Sequence, residues 1–256
     1  MLNQQDSSMF NNASSIEREA APMQASTTSA DNARRIAAAL DQISDALAPR
    51  RRIMRGGERL FHMGAPLQQV HVLNSGMFKL VGMSSDGRDQ IVAFRFRGDW
   101  IGLGDIESGH YSCDAVALDT CEVWSVGYAE LLEACGQRPA LLKQALEAMS
   151  GEILRERAAA LSAYTLPADA RMAEFLHRWV VALSRRGLRA DQLNLPLSRA
   201  EIGNHLGMTL ETASRALSRL AQSGVIRIDE KSRREITVPD ASRLDGYVRQ
   251  RLAAGS

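Results

Sequence analysis

Glu211, Ser214 and Arg215 stand in the spacing E-x-x-S-R, which puts Glu211 and Arg215 one helical turn apart. On the exposed face of a helix this arrangement presents an acceptor beside a forked cation. Arginine can donate two hydrogen bonds to the paired acceptors of guanine. Glutamate can accept from the amino group of cytosine, and serine can meet a thymine methyl or a phosphate. Thr209 and Thr212 at the head of the same helix, and Arg219 further along it, suit phosphate oxygens. Taken alone, a Glu–Arg pair is better read as an i,i+4 salt bridge on a solvated helix, contributing about 0.3–0.5 kcal/mol. The surrounding residues decide between the two readings.

Those surroundings run from Leu197 to Ile228. Ser198 with Glu201 three residues on has the spacing of a capping box, and Ile202 and Leu206 share one face of the helix it would start. Gly207 is placed to end that helix in the left-handed conformation. Thr209 is a new N-cap, and Leu210, Ala213, Leu217 and Leu220 form the apolar stripe of a second helix that Gly224 stops. Two capped helices at a glycine turn predict a helix-turn-helix whose second helix enters the DNA major groove. After it, VIRIDEKSRREITV reads as two strands about a polar turn, a wing. Arg233 and Arg234 lie in that turn, as phosphate contacts or as plain solvated cations.

The stretch IGNHLGMTLETASRALSRL resembles the DNA-binding signature of the CRP/FNR family of bacterial transcription regulators. Glu211, Ser214 and Arg215 are similar to the FNR branch. The resemblance spans about residues 50–240. It implies a homodimer that reads a TTGAT-type inverted repeat and activates genes of low-oxygen or redox-linked metabolism through contact with RNA polymerase. The SSDGRD segment, with Asp86-Gly87 at its tip, resembles the family's polymerase-contacting loop, although any solvent-facing hairpin turn would look the same.

The implied fold class is α+β. It comprises an N-terminal antiparallel β-roll (a cupin-like jelly roll), a long dimerisation helix and a C-terminal winged helix-turn-helix. With 256 residues there is room for such domains. Residues 1–30 are polar and aperiodic and are expected to be a disordered tail. Residues 31–135 form the sensor domain with its leading helix, marked by Ile36, Leu40, Ile43 and Leu47. Short apolar stretches divided by glycines, from about Arg52 to Val126, are the roll's strands. Residues 136–166 are the dimerisation helix, opened by Pro139. Its seam is Leu142, Leu146, Met149, Ile153, Glu156 and Ala160, mostly at heptad steps. Glu156 would face its own copy there, as like charges, unless the seam has rotated and left it in water. Residues 167–256 are the DNA-binding domain. It opens with an amphipathic helix (Met172, Phe175, Leu176, Trp179, Val180) and closes in a polar, weakly helical tail from residue 240.

Charge follows this division. Residues 1–150 hold 14 Lys+Arg against 18 Asp+Glu, and residues 151–256 hold 17 against 12. The half with the helix-turn-helix is the basic one, as attraction to double-stranded DNA requires. No apolar run has membrane-spanning length and the N-terminus has no apolar signal core, so a cytoplasmic protein without a membrane partner is expected.

The sensor chemistry is read by elimination. The family's nucleotide-binding members use a Glu and an Arg after the G-D-x-x-G turn. Here residues 98–137 contain no Arg or Lys but eight carboxylates, which would repel a cyclic nucleotide's phosphate. An iron–sulfur cluster needs four ligands. The chain has only Cys113, Cys121 and Cys135, with none of the N-terminal cysteines of the FNR branch. Their spacing reads as small buried hydrophobes first and a redox thiol second. His62, His71 and His110 lie in the roll, and without a haem attachment motif they read as structural. No cofactor and no metal is expected. No nucleophile–base pair or phosphate loop is present, so the chain is not expected to be an enzyme. A second reading keeps the same fold but gates it with a small molecule other than a cyclic nucleotide.

Overall fold

The computed structural model describes residues 28–229 and 235–253. Thr28 caps the first helix by accepting from the Asp31 amide at 3.2 Å, and helix α1 runs over Ser29–Leu47. Of the expected tail 1–30, only its last three residues lie among those described, and they open α1. Leu40 and Ile43 bury the inner face of this helix.

Eight strands follow: β1 (Arg50–Met54), β2 (Arg59–Phe61), β3 (Gln69–Ser75), β4 (Met77–Met83), β5 (Asp89–Phe96), β6 (Trp100–Ile101), β7 (Asp114–Ala117) and β8 (Cys121–Gly127). They form two four-stranded antiparallel sheets, ordered β1-β8-β3-β6 and β2-β7-β4-β5. Alternation along the strands sends Leu73, Phe78, Leu80 and Val123 into the space between the sheets. Val70, Val72, Trp124 and Val126 point the other way and are covered by α1 and two further helices, α2 (Tyr128–Gln137) and α3 (Pro139–Thr165). The expected roll is therefore two rolled sheets with separate inner and outer cores. Strand β1 is an addition to the expected set. Its sequence, RRRIM, has one buried residue, Met54, and it is held by backbone pairing to β8 rather than by an apolar pattern.

Helix α3 divides into two faces. Leu141, Ala145 and Met149, at steps of four, pack inward against the roll. Leu142, Leu146 and Ile153 stay exposed, as do Leu154, Leu161 and Tyr164. Of the expected seam, Met149 thus belongs partly to the inner face. Leu154 and Leu161, seven apart, add an outward row that the heptad count had passed over. Glu156 and Ala160 are exposed.

After α3 come α4 (Ala168–Ser184), β9 (Gln192–Asn194), α5 (Arg199–His205), α6 (Leu210–Gln222), β10 (Arg227–Ile228), β11 (Glu235–Thr237) and α7 (Ala241–Ala253). The wing is a three-stranded sheet, β10-β11-β9. Its third strand, β9, is not predicted by the sequence pattern, because its three residues carry one apolar side chain. The polar tail is a docked helix. Leu244 is fully buried, and the Tyr247 hydroxyl donates to Asp169 at 2.8 Å, a carboxylate that also pairs with Arg251.

Inside the roll, His71 is 3% exposed. The Tyr111 hydroxyl donates to the Gln69 carbonyl at 2.7 Å, so His71 Nε2 is the donor to Tyr111 Oη at 3.3 Å. His71 Nδ1 then accepts from Ser125 Oγ at 2.8 Å. Burial pushes the imidazole from 6.5 down to about 4. Above pH 6.5 both folded and unfolded chains hold it neutral. As pH falls from about 6.5 to 4 only the unfolded chain takes up the proton, so stability is lost across that window, by up to about 3 kcal/mol. Urea unfolding of wild type and His71→Gln through this range should show a shallower pH slope in the variant. Identical slopes would rule out a burial cost at His71.

Candidate nucleic-acid interface

The helix-turn-helix is built by local chemistry. Ser198 Oγ accepts from the Glu201 amide at 3.2 Å, and Glu201 accepts from the Ser198 amide at 2.8 Å, closing the capping box. Gly207 takes φ 62° to end α5. Gly203 is the tighter constraint. A Cβ there would lie 2.7 Å from the Met208 carbonyl oxygen, so the turn closes only over a residue without a side chain. Thr209 caps α6 through the Thr212 amide at 3.2 Å.

Ala213, Ala216, Leu217 and Leu220 bury α6 against α4 and α5. Leu210, expected in this stripe, is instead 46% exposed. It is the first residue of the helix and overhangs the edge of the core, and Ala216 takes its place in the apolar face.

The opposite face carries Glu211, Arg215, Ser218 and Arg219 in solvent, with Thr212 and Ser214 half-buried beside them and Thr209 exposed at the cap. Arg215 donates to Thr212 Oγ1 at 3.2 Å. Hydrogen bonds from its own backbone amide and from Thr209, reinforced by the Arg215 charge, hold the Glu211 carboxyl below its usual range. Glu211 and Arg215 are exposed and adjacent at the helix N-terminus, and neither makes an ion pair to another element among the described residues. Arg233 and Arg234 lie outside the described residues.

Sequence reading missed what fixes this unit in space. Strand β5 is the free edge of its sheet, with backbone groups that need partners. The Asn204 carboxamide supplies them, accepting from the Ile91 amide at 2.6 Å and donating to the Asp89 carbonyl at 2.7 Å, as a neighbouring strand's peptide would. Gln90 reaches back to the Asn204 carbonyl. His205 Nδ1 donates to the Ile91 carbonyl at 3.0 Å. Burial lowers the His205 pKa, consistent with a neutral ring. The ring sits edge-on to Phe94 at 4.7 Å, and Trp179 meets Phe94 and Phe96 at 5.2 and 5.0 Å. Lys79 of β4 pairs with Glu201, the capping carboxylate, at 2.6 Å. Arg186 at the end of α4 pairs with Asp99 at 3.0 Å. The signal available in the sequence was weak: a polar Asn-His pair at the end of a short helix.

The second buried cation is Arg95 of β5, 3% exposed, which ion-pairs with Glu152 of α3 beside Gly104. It reaches the segment after Gly98-Asp99 from the strand before it, so a scan of residues 98–137 does not find it. All three cysteines are free and buried, and burial pushes Cys113 and Cys121 up to about 11. Among the described residues no cluster of three His, Cys, Asp or Glu is close enough to hold a metal ion, and no helix is long and apolar enough to cross a membrane.

If Asn204 completes the edge of β5, Asn204→Ala should free the Ile91 amide. Hydrogen exchange at Ile91 is then expected to accelerate roughly tenfold or more, the effect of losing a buried bond of about 1.5 kcal/mol, while the amides of α6 keep their protection. Unchanged exchange at Ile91 would show that the strand edge is satisfied without Asn204.

Comparison with known proteins places these parts. Residues 51–138 match the cyclic nucleotide-binding domain family, and residues 170–247 match the Crp-like helix-turn-helix domain family. The fumarate and nitrate reduction regulatory protein of Escherichia coli (strain K12) is 33% identical over 192 residues, 75% of this chain and 76% of that protein. Electron transport regulator A of Shewanella oneidensis matches to the same extent. The solved structure of FixK2 from Bradyrhizobium japonicum superposes with a TM-score of 0.66 at 31% identity, covering 77% of this chain and 96% of that one. The first two of these relatives are named as regulators. The chain belongs to the CRP/FNR family of DNA-binding transcription regulators.

Proposed function

We propose that the protein acts as a homodimer that reads a TTGAT-type inverted repeat and activates genes of low-oxygen or redox-linked metabolism. The observation that carries this reading is the outward face of α6, where Glu211 and Arg215 stand exposed at the helix N-terminus and bond only within α6 and its cap among the described residues. The outer stripe of α3, Leu142, Leu146 and Ile153 with Leu154 and Leu161, supports the dimer, since it leaves an apolar helix face bare in the single chain. Two copies of a short recognition helix would then read two half-sites together. Relatives named for fumarate and nitrate reduction and for electron transport support the metabolic assignment. The Ser84–Arg88 hairpin, tightened by Asp86 accepting from Ser84 and Arg88, is the proposed contact with RNA polymerase.

In this reading the regulator works without a cyclic nucleotide, an iron–sulfur cluster or haem, in the cytoplasm. A cyclic phosphate held by the segment after Gly98-Asp99 needs an available cation in that segment. Arg95 is the buried cation near the segment in question, and it is taken up by Glu152. The residues there do not fit the phosphate of a cyclic nucleotide.

Gel shifts test base reading. Wild type is expected to prefer the inverted repeat over scrambled DNA, and Arg215→Ala should lose about 1–3 kcal/mol on the repeat alone. An equal loss on both DNAs would reduce Arg215 to a phosphate contact. A second test concerns Glu156, exposed on α3 where two copies of the seam would bring two carboxylates together. Sedimentation equilibrium should show Glu156→Ala associating more tightly than wild type. A dimer left unchanged or weakened would mean that Glu156 points into water or is salt-bridged.

A further inference from the structure

Arg50, Ser125 and His71 stand in one row across three strands. Arg50 of β1 is directly opposite Ser125 of β8, and Ser125 is directly opposite His71 of β3. Directly opposed residues of antiparallel strands share a face, and residues two apart on a strand do so as well. Arg52 and Gln69 therefore join the same face. It is the inner face of the roll, because the next positions along these strands, Met54, Val123 and Leu73, lie in the core between the sheets. The row thus forms the polar mouth of the roll, one step beyond its apolar filling.

A cavity of about 300 Å³ opens there, with Leu60 on its rim. His71, 3% exposed, closes the floor and spends both ring nitrogens on Ser125 and Tyr111. The walls are cationic. Arg51, between the two, also lines the cavity, but its guanidinium lies over Trp124 and donates to Ser44. Arg50 and Arg52 make no ion pair or hydrogen bond through their guanidinium groups among the described residues. Arg50 and Arg52 are exposed, and among the described residues their two like charges flank one concave site with no counter-charge, an arrangement that suits the oxygens of an anion.

We propose that this cavity is a binding site for a small anion bearing carboxylate or phosphate oxygens, gripped by the forked guanidinium groups of Arg50 and Arg52 with the Gln69 carboxamide as a neutral donor. The concave shape and buried floor favour a molecule of a few heavy atoms over a flat acidic surface. The site lies in the roll, remote from α6, and the inference does not depend on the DNA reading.

Isothermal titration of the full chain with inorganic phosphate and, separately, with succinate, at ionic strength held constant with sodium chloride, tests it. Wild type is expected to bind at least one of the two saturably. Arg50→Gln/Arg52→Gln should bind at least tenfold more weakly. Arg55→Gln, which removes a nearby exposed cation outside the cavity, should bind as wild type does. Binding of phosphate alone would identify a phosphate-bearing ligand, and binding of succinate alone a dicarboxylate. Circular dichroism melting without added anion checks that the double variant is folded, and Arg50→Lys/Arg52→Lys, which keeps both charges but loses the forks, should recover part of the affinity. The proposal is overturned if neither anion binds, if all variants bind equally, or if tetraglutamate binds where neither small anion does.

Discussion

The free edge of β5 is the constraint on which the placement of the reading head depends. A strand edge inside a folded chain must find hydrogen-bond partners, and here they come from a side chain of the DNA-binding domain. Asn204 offers both an acceptor and a donor in one planar group, so it substitutes for a strand without the length of one. Around it, Phe94 and Phe96 place aromatic surface beneath Phe175, Trp179 and His205. The polar bonds set the register of α5 on the strand and the rings supply the apolar contact. With α5 fixed, the Gly203–Met208 crossing fixes α6, and the face bearing Glu211 and Arg215 is the one left in water.

Charge does similar work at two other junctions. Arg95 ties β5 to α3 through Glu152, and Arg186 ties the end of α4 to Asp99. Both guanidinium groups are largely buried, and burial lowers the pKa of each against the pull of Asp99. Pairs of this kind recover little net stability, because desolvation offsets most of the attraction. Their effect is geometric: an arginine removed from water is costly in any arrangement that breaks its pair. The inner face of α3 is thereby committed to the roll, and its outer apolar stripe is left for another surface.

Much of the DNA-binding unit was legible in the chain because its determinants are local. Ser198 with Glu201, Thr209, Gly207 and Gly224 act within a few residues of themselves, and their geometry needs no distant partner. The period of Ala213, Leu217 and Leu220 was readable for the same reason. Leu210 marks the limit of that method. Periodicity places a residue on a face but does not say where along the helix the core ends. β1 and β9 lack apolar alternation and exist through their pairing with β8 and β11, which no local pattern encodes. The tail became a helix because Leu244 and Tyr247 find α4, a contact between segments about 75 residues apart.

Sequence alone determined the roll, the long helix after it, the capped two-helix unit and the charged residues on its second helix. These follow from φ/ψ preferences and side-chain spacing. Tertiary structure decided which groups are committed and which are free. Arg95 and Arg186 look like ordinary surface cations in the sequence and are buried in pairs. Arg50 and Arg52 look like a charge run and line a cavity, with no partner among the described residues. The difference lies in long-range juxtaposition. A side chain's charge, solvation and availability depend on what the fold brings within a few ångströms, and that is a property of strand register and domain docking rather than of neighbouring residues in the chain.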